Sequence, residues 1–529
     1  MKSVALNPDP TIQSRIGEML RPRLYGFGVK RVRMLQTHTS WVFLTGDYAY
    51  KVKKPVNFGF LDYTTLLARQ FFCHEEFRLN QRLSPDIYVS VEPICDVRGQ
   101  LRLGGRGQPI DYCLKMKQLP QSALMTEQLR QGRVTFEHID AIAQTISRFH
   151  AQAERGRQVA QYGSSEVIRL NWDENFAQTV EFRGKTITRP GFVEIKRRVE
   201  RFIADNRNLF RRRREAGFVR RCHGDLHSKN IFIVGERVFI FDCIEFNPRF
   251  SCSDVAAEVA FMVMDLEFHG RKDLASFFVE RYLVFTGDEE MLKLLDFYKC
   301  YRAYVRGKVT SFVLNDPGVD KAAKAAARDV ARRYFQMSLR YARQFDSEAR
   351  MVVMMGLPGT GKTHLARRLA ERIDAFHLSS DSVRKQLLGM SVGQKRPQAF
   401  GAGIYASDIS RRTYAEMFRR AEAFLRSGQS VILDATFLHE DSRGAARDAA
   451  ERLGVPALFV MTDCAERTVK QRLRRRASKY GFSDAGVEVY ERMKSRFKAP
   501  RPGRGLVRVD TRQPLRRIIE KIERALLHC

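Results

Sequence analysis

Across 529 residues no apolar run approaches the roughly 18 that a membrane-spanning helix needs, so a membrane protein of that kind is excluded. The opening MKSVALNPDP has no apolar core of a secretory signal, and a cytoplasmic location is expected. Nine cysteines (Cys73, Cys95, Cys113, Cys222, Cys243, Cys252, Cys300, Cys464 and Cys529) stand scattered, with no CxxC pair and no Cys/His metal spacing. That pattern excludes a zinc module and points to reduced thiols rather than a disulfide framework. Low-complexity linkers and internal repeats are absent as well. Aromatic residues are not interleaved with the basic runs in the manner of RNA-binding modules.

What the chain does have is positive charge. Lys and Arg total 92 against 60 acidic residues, a net +32, in a composition that is otherwise ordinary at 44% hydrophobic and 29% charged. Such a balance favours polyanionic partners, whether nucleotides, phosphorylated metabolites, nucleic acid or an anionic surface. Runs such as Arg211–Arg214 and Arg474–Arg476 sit in helix-like contexts, where solvated basic faces are the plainer reading. Nucleic acid therefore stays a partner to be tested, small hydroxyl compounds are the expected acceptors, and no membrane partner is expected.

The length exceeds what one core usually organises, so more than one domain is expected. WVFLTGDYAYKVK (41–53) reads as two strands joined at Gly46-Asp47. Helices are expected at about 64–83, 138–153 and 192–214, and a strand-turn-strand at 231–242. The segment 252–345 is helical in pattern. FDSEAR (345–350) is polar and precedes an apolar strand, MVVMM, at 351–355. A boundary is placed there, giving domains 1–345 (lobes at about 25–120 and 121–345) and 350–529. Beyond it, strands at 351–355, 430–434 and 457–461 alternate with helices, the pattern of a parallel α/β sheet.

After MVVMM stands GLPGTGKT, residues 356–363. A buried strand aims this loop, and its glycines Gly356, Gly359 and Gly361 let backbone N–H groups, with Thr360 among them, wrap phosphates. The following helix adds its dipole. Lys362 is expected at the β- and γ-phosphates of ATP or GTP, and the Thr363 hydroxyl on Mg²⁺. Strand VILDATF (431–437) brings Asp434, a carboxylate of Walker-B type. LSSDSVRK brings Asp381 and Arg384, a base for an acceptor hydroxyl and a cation for an acceptor anion.

Together, GLPGTGKT, SSDSVRK, VILDATF and RLRRRASKYGFSDA resemble the small P-loop kinases: gluconate- and shikimate-type kinases, zeta-toxin-type kinases and polynucleotide 5′-hydroxyl kinases. The resemblance covers about 350–529. It implies a P-loop NTPase fold, Asp381 as base, Arg384 at the acceptor anion, and lid arginines, here Arg472 and Arg476, over the ATP phosphates.

A second constellation lies upstream. HGDLHSKN, residues 223–230, matches H-G-D-x-x-x-x-N. Its logic parallels a protein-kinase catalytic loop, with Asp225 taking the acceptor proton and Asn230 binding Mg²⁺. Twelve residues beyond Asn230, VFIFDCIEF supplies Asp242 as a second metal carboxylate. These residues resemble the aminoglycoside phosphotransferase family, of protein-kinase-like fold, with motifs over about 25–345. The nearest branch carries AYKVKKPV, FGFLDYTTL and VAFMVMDLEFHG. The resemblance implies a strand lysine at the α/β-phosphates, Lys51 with Lys53 as the alternative on the same face, paired to Glu76 or else Glu75. The glycine-rich nucleotide loop of protein kinases is missing. THTSWVFL stands in its place, with Thr39 and Ser40 as candidate phosphate contacts. No acidic cluster suits an aminoglycoside, so the reaction type carries over without the drug.

The expectation is a bilobal α+β kinase-like domain fused to an α/β P-loop domain, a bifunctional phosphotransferase using ATP and Mg²⁺ on hydroxyl acceptors. Two alternatives are a nucleic-acid-end kinase, and a P-loop kinase whose N-terminal half binds nucleotide without turnover.

Overall fold

A hairpin is where the N-terminal half takes shape. In the computed structural model β2 (Ser40–Leu44) and β3 (Tyr48–Lys53) turn at Gly46, whose φ of 108° suits a residue without a side chain. They join β1 (Arg33–Gln36), β4 (Tyr88–Val97), β5 (Gln100–Leu103) and β6 (Gln108–Lys117) in an antiparallel sheet of order β1-β2-β3-β6-β4-β5. Residues 11–105, 107–391, 405–476, 486–500, 503 and 505–528 are described, the side chains of 11 and 476 excepted.

Alternation along β3 sorts its side chains. Tyr50 and Val52 enter a core with Trp41, Phe43 and Ile94, whereas Lys51 and Lys53 face the other way. On that second face lies the helix Leu66–Asn80, started by the Thr65 side chain, which accepts from the Ala68 N–H at 3.1 Å. Cys73 of this helix packs with Tyr88 and Leu114. The expected helix at 64–83 is thus present with tighter ends. Strands β4 to β6 were not anticipated, because Glu92, Asp96 and Asp111 interrupt their apolar alternation. β4 and β5 form a tight hairpin, Val97 opposite Gln100, and β6 joins them to β3 from farther along the chain, Lys117 opposite Tyr48.

The expected strand-turn-strand is β8 (Ile231–Val234) with β9 (Arg237–Ile240), placed between β7 (Val219–Arg221) and β10 (Cys252–Asp254), which pair with each other. The helical stretch expected from 252 therefore begins with a short strand. The helix expected at 192–214 is two, Arg189–Asp205 and Arg207–Glu215, separated at Asn206, whose ψ of 18° leaves the helical region.

Contacts divide the chain into two units, one of residues up to Val134 with Thr145–Asp173 and Ile203–Met262, the other of Thr135–Gln144, Glu174–Phe202 and Val263 onward. The second unit contains a five-stranded parallel sheet of order β12-β13-β11-β14-β15. Its strands are β11 (Met351–Met355), β12 (Phe376–Ser379), β13 (Val431–Asp434), β14 (Ala457–Asp463) and β15 (Leu506–Asp510). All five residues of β11 are buried, as a central parallel strand requires. Val352 and Met354 pack with Leu365 and Leu369 of the helix Lys362–Ile373, and with Ile518 and Ile522. In the same unit, the helix Lys272–Thr286 packs on β12 and on Lys362–Ile373. There Lys272 meets Asp374, and Lys299 bonds Asp296 at 2.9 Å.

Among the described residues no helix is long and apolar enough to cross a membrane. The eight described cysteines are all unpaired as disulfides.

Candidate active sites

In the first unit five charged side chains converge at β3. Lys51 Nζ donates to Glu76 Oε1 at 2.8 Å and to Asp242 Oδ1 at 2.6 Å. Lys53 Nζ donates to the other Glu76 oxygen at 2.7 Å and to Glu245 Oε1 at 2.5 Å. Tyr63 donates to that same Glu245 oxygen at 2.6 Å. Glu76 is fully buried, Lys53 nearly so, and the Asp242 side chain is 41% exposed. Burial alone would raise the Glu76 carboxyl, but the two lysines hold it down at about 2. Burial, with Glu76 alongside, instead raises Glu245, so Glu76 is the firmer anion. The two lysines read as alternatives in the sequence therefore share one glutamate. Glu75 pairs with Arg78 and Arg221, away from both.

Asp242 stands at φ 69°, a left-handed conformation that costs an L-residue about 1 kcal/mol and is tolerated best by Asn and Asp. Its N–H donates to the Tyr88 hydroxyl at 3.1 Å, and the Cys243 N–H to Asn80 Oδ1 at 2.9 Å. These bonds turn the carboxylate toward Lys51. The H-G-D loop is held separately. Glu258, fully buried, accepts from the His223 and Gly224 N–H groups at 3.1 and 2.7 Å and bonds His150 Nε2 at 2.8 Å. Burial would raise Glu258, but His150 and the loop hold it at about 2. On this loop, Asn230 Nδ2 donates to Asp225 Oδ2 at 3.0 Å, and His227 Nε2 lies 3.2 Å from the same oxygen. Gly224 has φ 87°, and a Cβ there would sit 2.9 Å from the Phe250 carbonyl.

Ser40 is opposite Lys53 in the β2–β3 pair, and its buried hydroxyl has no hydrogen-bond partner among the described residues. The turn that precedes it is closed by Thr37, whose hydroxyl accepts from the Ser40 N–H at 2.9 Å and from the Thr39 N–H at 3.3 Å. A glycine-rich flap is replaced here by a short side-chain-capped turn.

The P-loop site lies wholly in the second unit. Gly356, Gly359 and Gly361 have φ of 138°, 81° and 99°, and a Cβ on Gly356 would meet Thr462 Oγ1 at 2.6 Å. Thr360 donates its hydroxyl to the Leu357 carbonyl at 2.7 Å, and Lys362 Nζ reaches that carbonyl at 3.0 Å. At the end of β13, Asp434 lies beside Thr363 and 3.1 Å from His377 Nε2. Burial would raise this carboxyl, but the His377 bond, with Lys362 and Thr363, lowers it overall.

Asp381 lies in the first turn of the helix Ser380–Leu387 and Arg384 one turn later, donating to Asp381 Oδ1 at 2.8 Å. Both line a cavity of about 1080 Å³ together with Lys362, Thr363, Asp434 and Arg472. Arg384 is 7% exposed, and its Nε has no hydrogen-bond partner among the described residues. Arg472 is tied to the loop wall, donating to Thr511 Oγ1 at 2.9 Å and to the Thr360 carbonyl at 3.4 Å. The side chain of Arg476 lies outside the described residues.

Carboxylate, hydroxyl and amide donors of this kind fit Mg²⁺, which prefers hard oxygen ligands. Asn230 and Asp242 would hold it in one site, Thr363 and Asp434 in the other.

Residues 351–500 match the family described as an AAA domain. The Mycobacterium tuberculosis protein Rv2004c is 32% identical over 486 residues, covering 92% of this chain and 93% of the relative. The chain belongs to the family of that protein. Among solved structures, a gluconokinase from Sinorhizobium meliloti matches 34% of the chain and 93% of its own, at 20% identity and TM-score 0.26. A choline/ethanolamine kinase family protein from Mesorhizobium loti matches 63% and 99%, at 13% identity and TM-score 0.38. The match to the AAA domain falls on the part of the chain in which the sequence placed the P-loop.

Glu245, Tyr63, Tyr88 and Glu258 were not identified from the sequence. Glu258 had a signal, a lone carboxylate in the apolar run VAAEVAFMVM. Glu245 had a weaker one, three residues after Asp242. Tyr63 and Tyr88 had none, since their hydroxyls reach the site only through distant packing.

Proposed function

We propose that the protein is a bifunctional phosphotransferase, each site moving the γ-phosphoryl of ATP to a hydroxyl acceptor, and that small metabolites are the acceptors. The carrying observation is that each of two nucleotide frames has its own lysine and its own oriented carboxylate. Asp225 is aimed by Asn230 and His227, and Asp381 by Arg384.

In the kinase-like site Lys51, held by Glu76, neutralises phosphate charge, while Asp225 accepts the acceptor hydroxyl proton as the oxygen attacks phosphorus. In the P-loop site the loop N–H groups and Lys362 cradle phosphates, and Asp381 accepts the proton. The Nε–H of buried Arg384, without a partner among the described residues, offers a donor to an anionic group on the acceptor. Bound Mg²⁺ supplies charge neutralisation of the phosphates at each site.

An assembled Lys51–Glu76–Asp242 cluster supports turnover in the N-terminal half over a purely regulatory role. The net charge of +32 favours nucleic-acid ends as a second acceptor class, and that binding would weaken steeply with salt.

The test is an ATP-consumption screen of sugars, polyols, nucleosides and oligonucleotides on wild type, Lys362→Ala and Asp225→Ala. Each substitution is expected to lower turnover of its own acceptor by roughly 10²–10³-fold. An acceptor consumed equally by all three proteins would sink the assignment.

A further inference from the structure

The helix Ser380–Leu387 has eight residues, and a helix so short is not stable without tertiary support. Yet it must present Asp381 and Arg384 in fixed directions. Its anchor is Gln386, whose side chain is saturated. The amide nitrogen donates to Glu280 Oε1 at 3.0 Å and to Ser382 Oγ at 3.0 Å. The amide oxygen accepts from Arg420 at 2.7 Å and from Arg281 at 3.1 Å.

Glu280 is the centre of this group. It is 3% exposed, on the helix Lys272–Thr286, and the oxygen that receives Gln386 also receives Arg420, itself 7% exposed. Arg420 belongs to the helix Ser407–Arg426, where it bonds Glu416 at 2.7 Å. Earlier turns of that helix supply Ser410, Arg411, Tyr414 and Phe418 to the cavity wall. The Tyr414 hydroxyl accepts from the Phe437 N–H at 3.1 Å, just beyond Asp434. One buried carboxylate thus grips both the helix bearing Asp381 and Arg384 and the helix Ser407–Arg426, and its hydrogen bonds among the described residues go to these two helices rather than to the phosphate loop.

We propose that Glu280 is a positioning residue for the acceptor side of the P-loop site. The inference rests on the reading of Asp381 and Arg384 as acceptor groups. Its consequence is that the helix Lys272–Thr286, which precedes the sequence boundary at 345–350, serves the P-loop chemistry. Removing the carboxylate leaves the buried Arg420 guanidinium and the Gln386 amide short of a partner, and the short helix loses its direction.

The experiment uses the full-length protein. Hydrogen exchange of the Glu280→Ala protein is expected to accelerate about tenfold or more at 380–388 while 351–373 keeps wild-type protection. Glu280→Gln keeps an acceptor for Gln386 without the charge opposite Arg420, and its exchange should fall between the two. In an Asp225→Asn background, Glu280→Ala should raise KM for an acceptor found by the screen about tenfold and leave KM for ATP within about twofold. Unchanged exchange at 380–388, equal acceleration at 351–373, or equal rises in both KM values overturns the inference. A screen that finds no acceptor sinks the phosphotransfer reading instead, and the exchange result still decides whether Glu280 anchors the helix.

Discussion

The two proposed sites would solve one problem, gripping a triphosphate, with opposite materials. The P-loop uses backbone: three glycines at positive φ free the N–H groups, and the side chains add one lysine and one hydroxyl. The N-terminal site uses side chains: Lys53, Glu76 and Glu245 buried together, with half-buried Lys51 and Asp242 at their edge. A backbone cradle needs no counter-ion while empty. A buried side-chain cluster does, because an unpaired charge in that place costs several kcal/mol. The second pair, Lys53 with Glu245, answers that need. It occupies the Glu76 oxygen that Lys51 leaves, so Glu76 is fixed on both sides.

That contrast can be broken most forcefully at the two lysines. Lys53→Met is expected to lower stability by about 3 kcal/mol, since it takes the lysine from buried Glu245 and one of two lysines from buried Glu76. Lys51→Met should cost less stability, its neighbour Asp242 being partly solvated, but should abolish nucleotide turnover in a Lys362→Ala background. Denaturant titration and ATP consumption read the two effects, and equal stability losses would refute the division of labour.

Acid sharpens the same comparison. The Glu76 carboxyl is depressed from 4.5 to about 2, so its contribution is complete above pH 4.5 and is lost as pH falls toward 2. The amount is on the order of 3 kcal/mol. Acid unfolding followed by circular dichroism should show this loss in wild type and a much smaller one in Glu76→Gln. A Glu76→Gln profile parallel to wild type would show that the cluster is not charged as described.

The smallest effect is expected at Ser40. Its buried hydroxyl has no described partner, so Ser40→Ala should change stability by no more than about 0.5 kcal/mol. KM for ATP should stay unchanged. A rise in that KM would support the role of phosphate contact that the sequence suggested.

Local chemistry accounts for what could be read in advance. GLPGTGKT between an apolar strand and a helix, and H-G-D-x-x-x-x-N before an apolar strand and Asp242, are contiguous in the chain. Their geometry follows from φ freedom, strand alternation and helix starts. Lys51 and Lys53 were legible as a pair because alternate residues of a strand share a face. The choice between them was not, because it depends on Glu245, which stands 192 positions from Lys53 and 182 from Tyr63. Glu280 belongs to the same class. Nothing in ASFFVERYLVF distinguishes it from a solvated helix glutamate, and only burial against Arg420 and Gln386 gives it a task.

The sequence by itself therefore determined two motifs, GLPGTGKT and H-G-D-x-x-x-x-N, their order and the residues each carries, since these depend on neighbours within a few positions. Tertiary structure alone decided which lysine meets Asp242, what fixes Glu76, and what aims the helix bearing Asp381 and Arg384. Those are contacts between buried charges, whose strength depends on desolvation and on partners brought from afar.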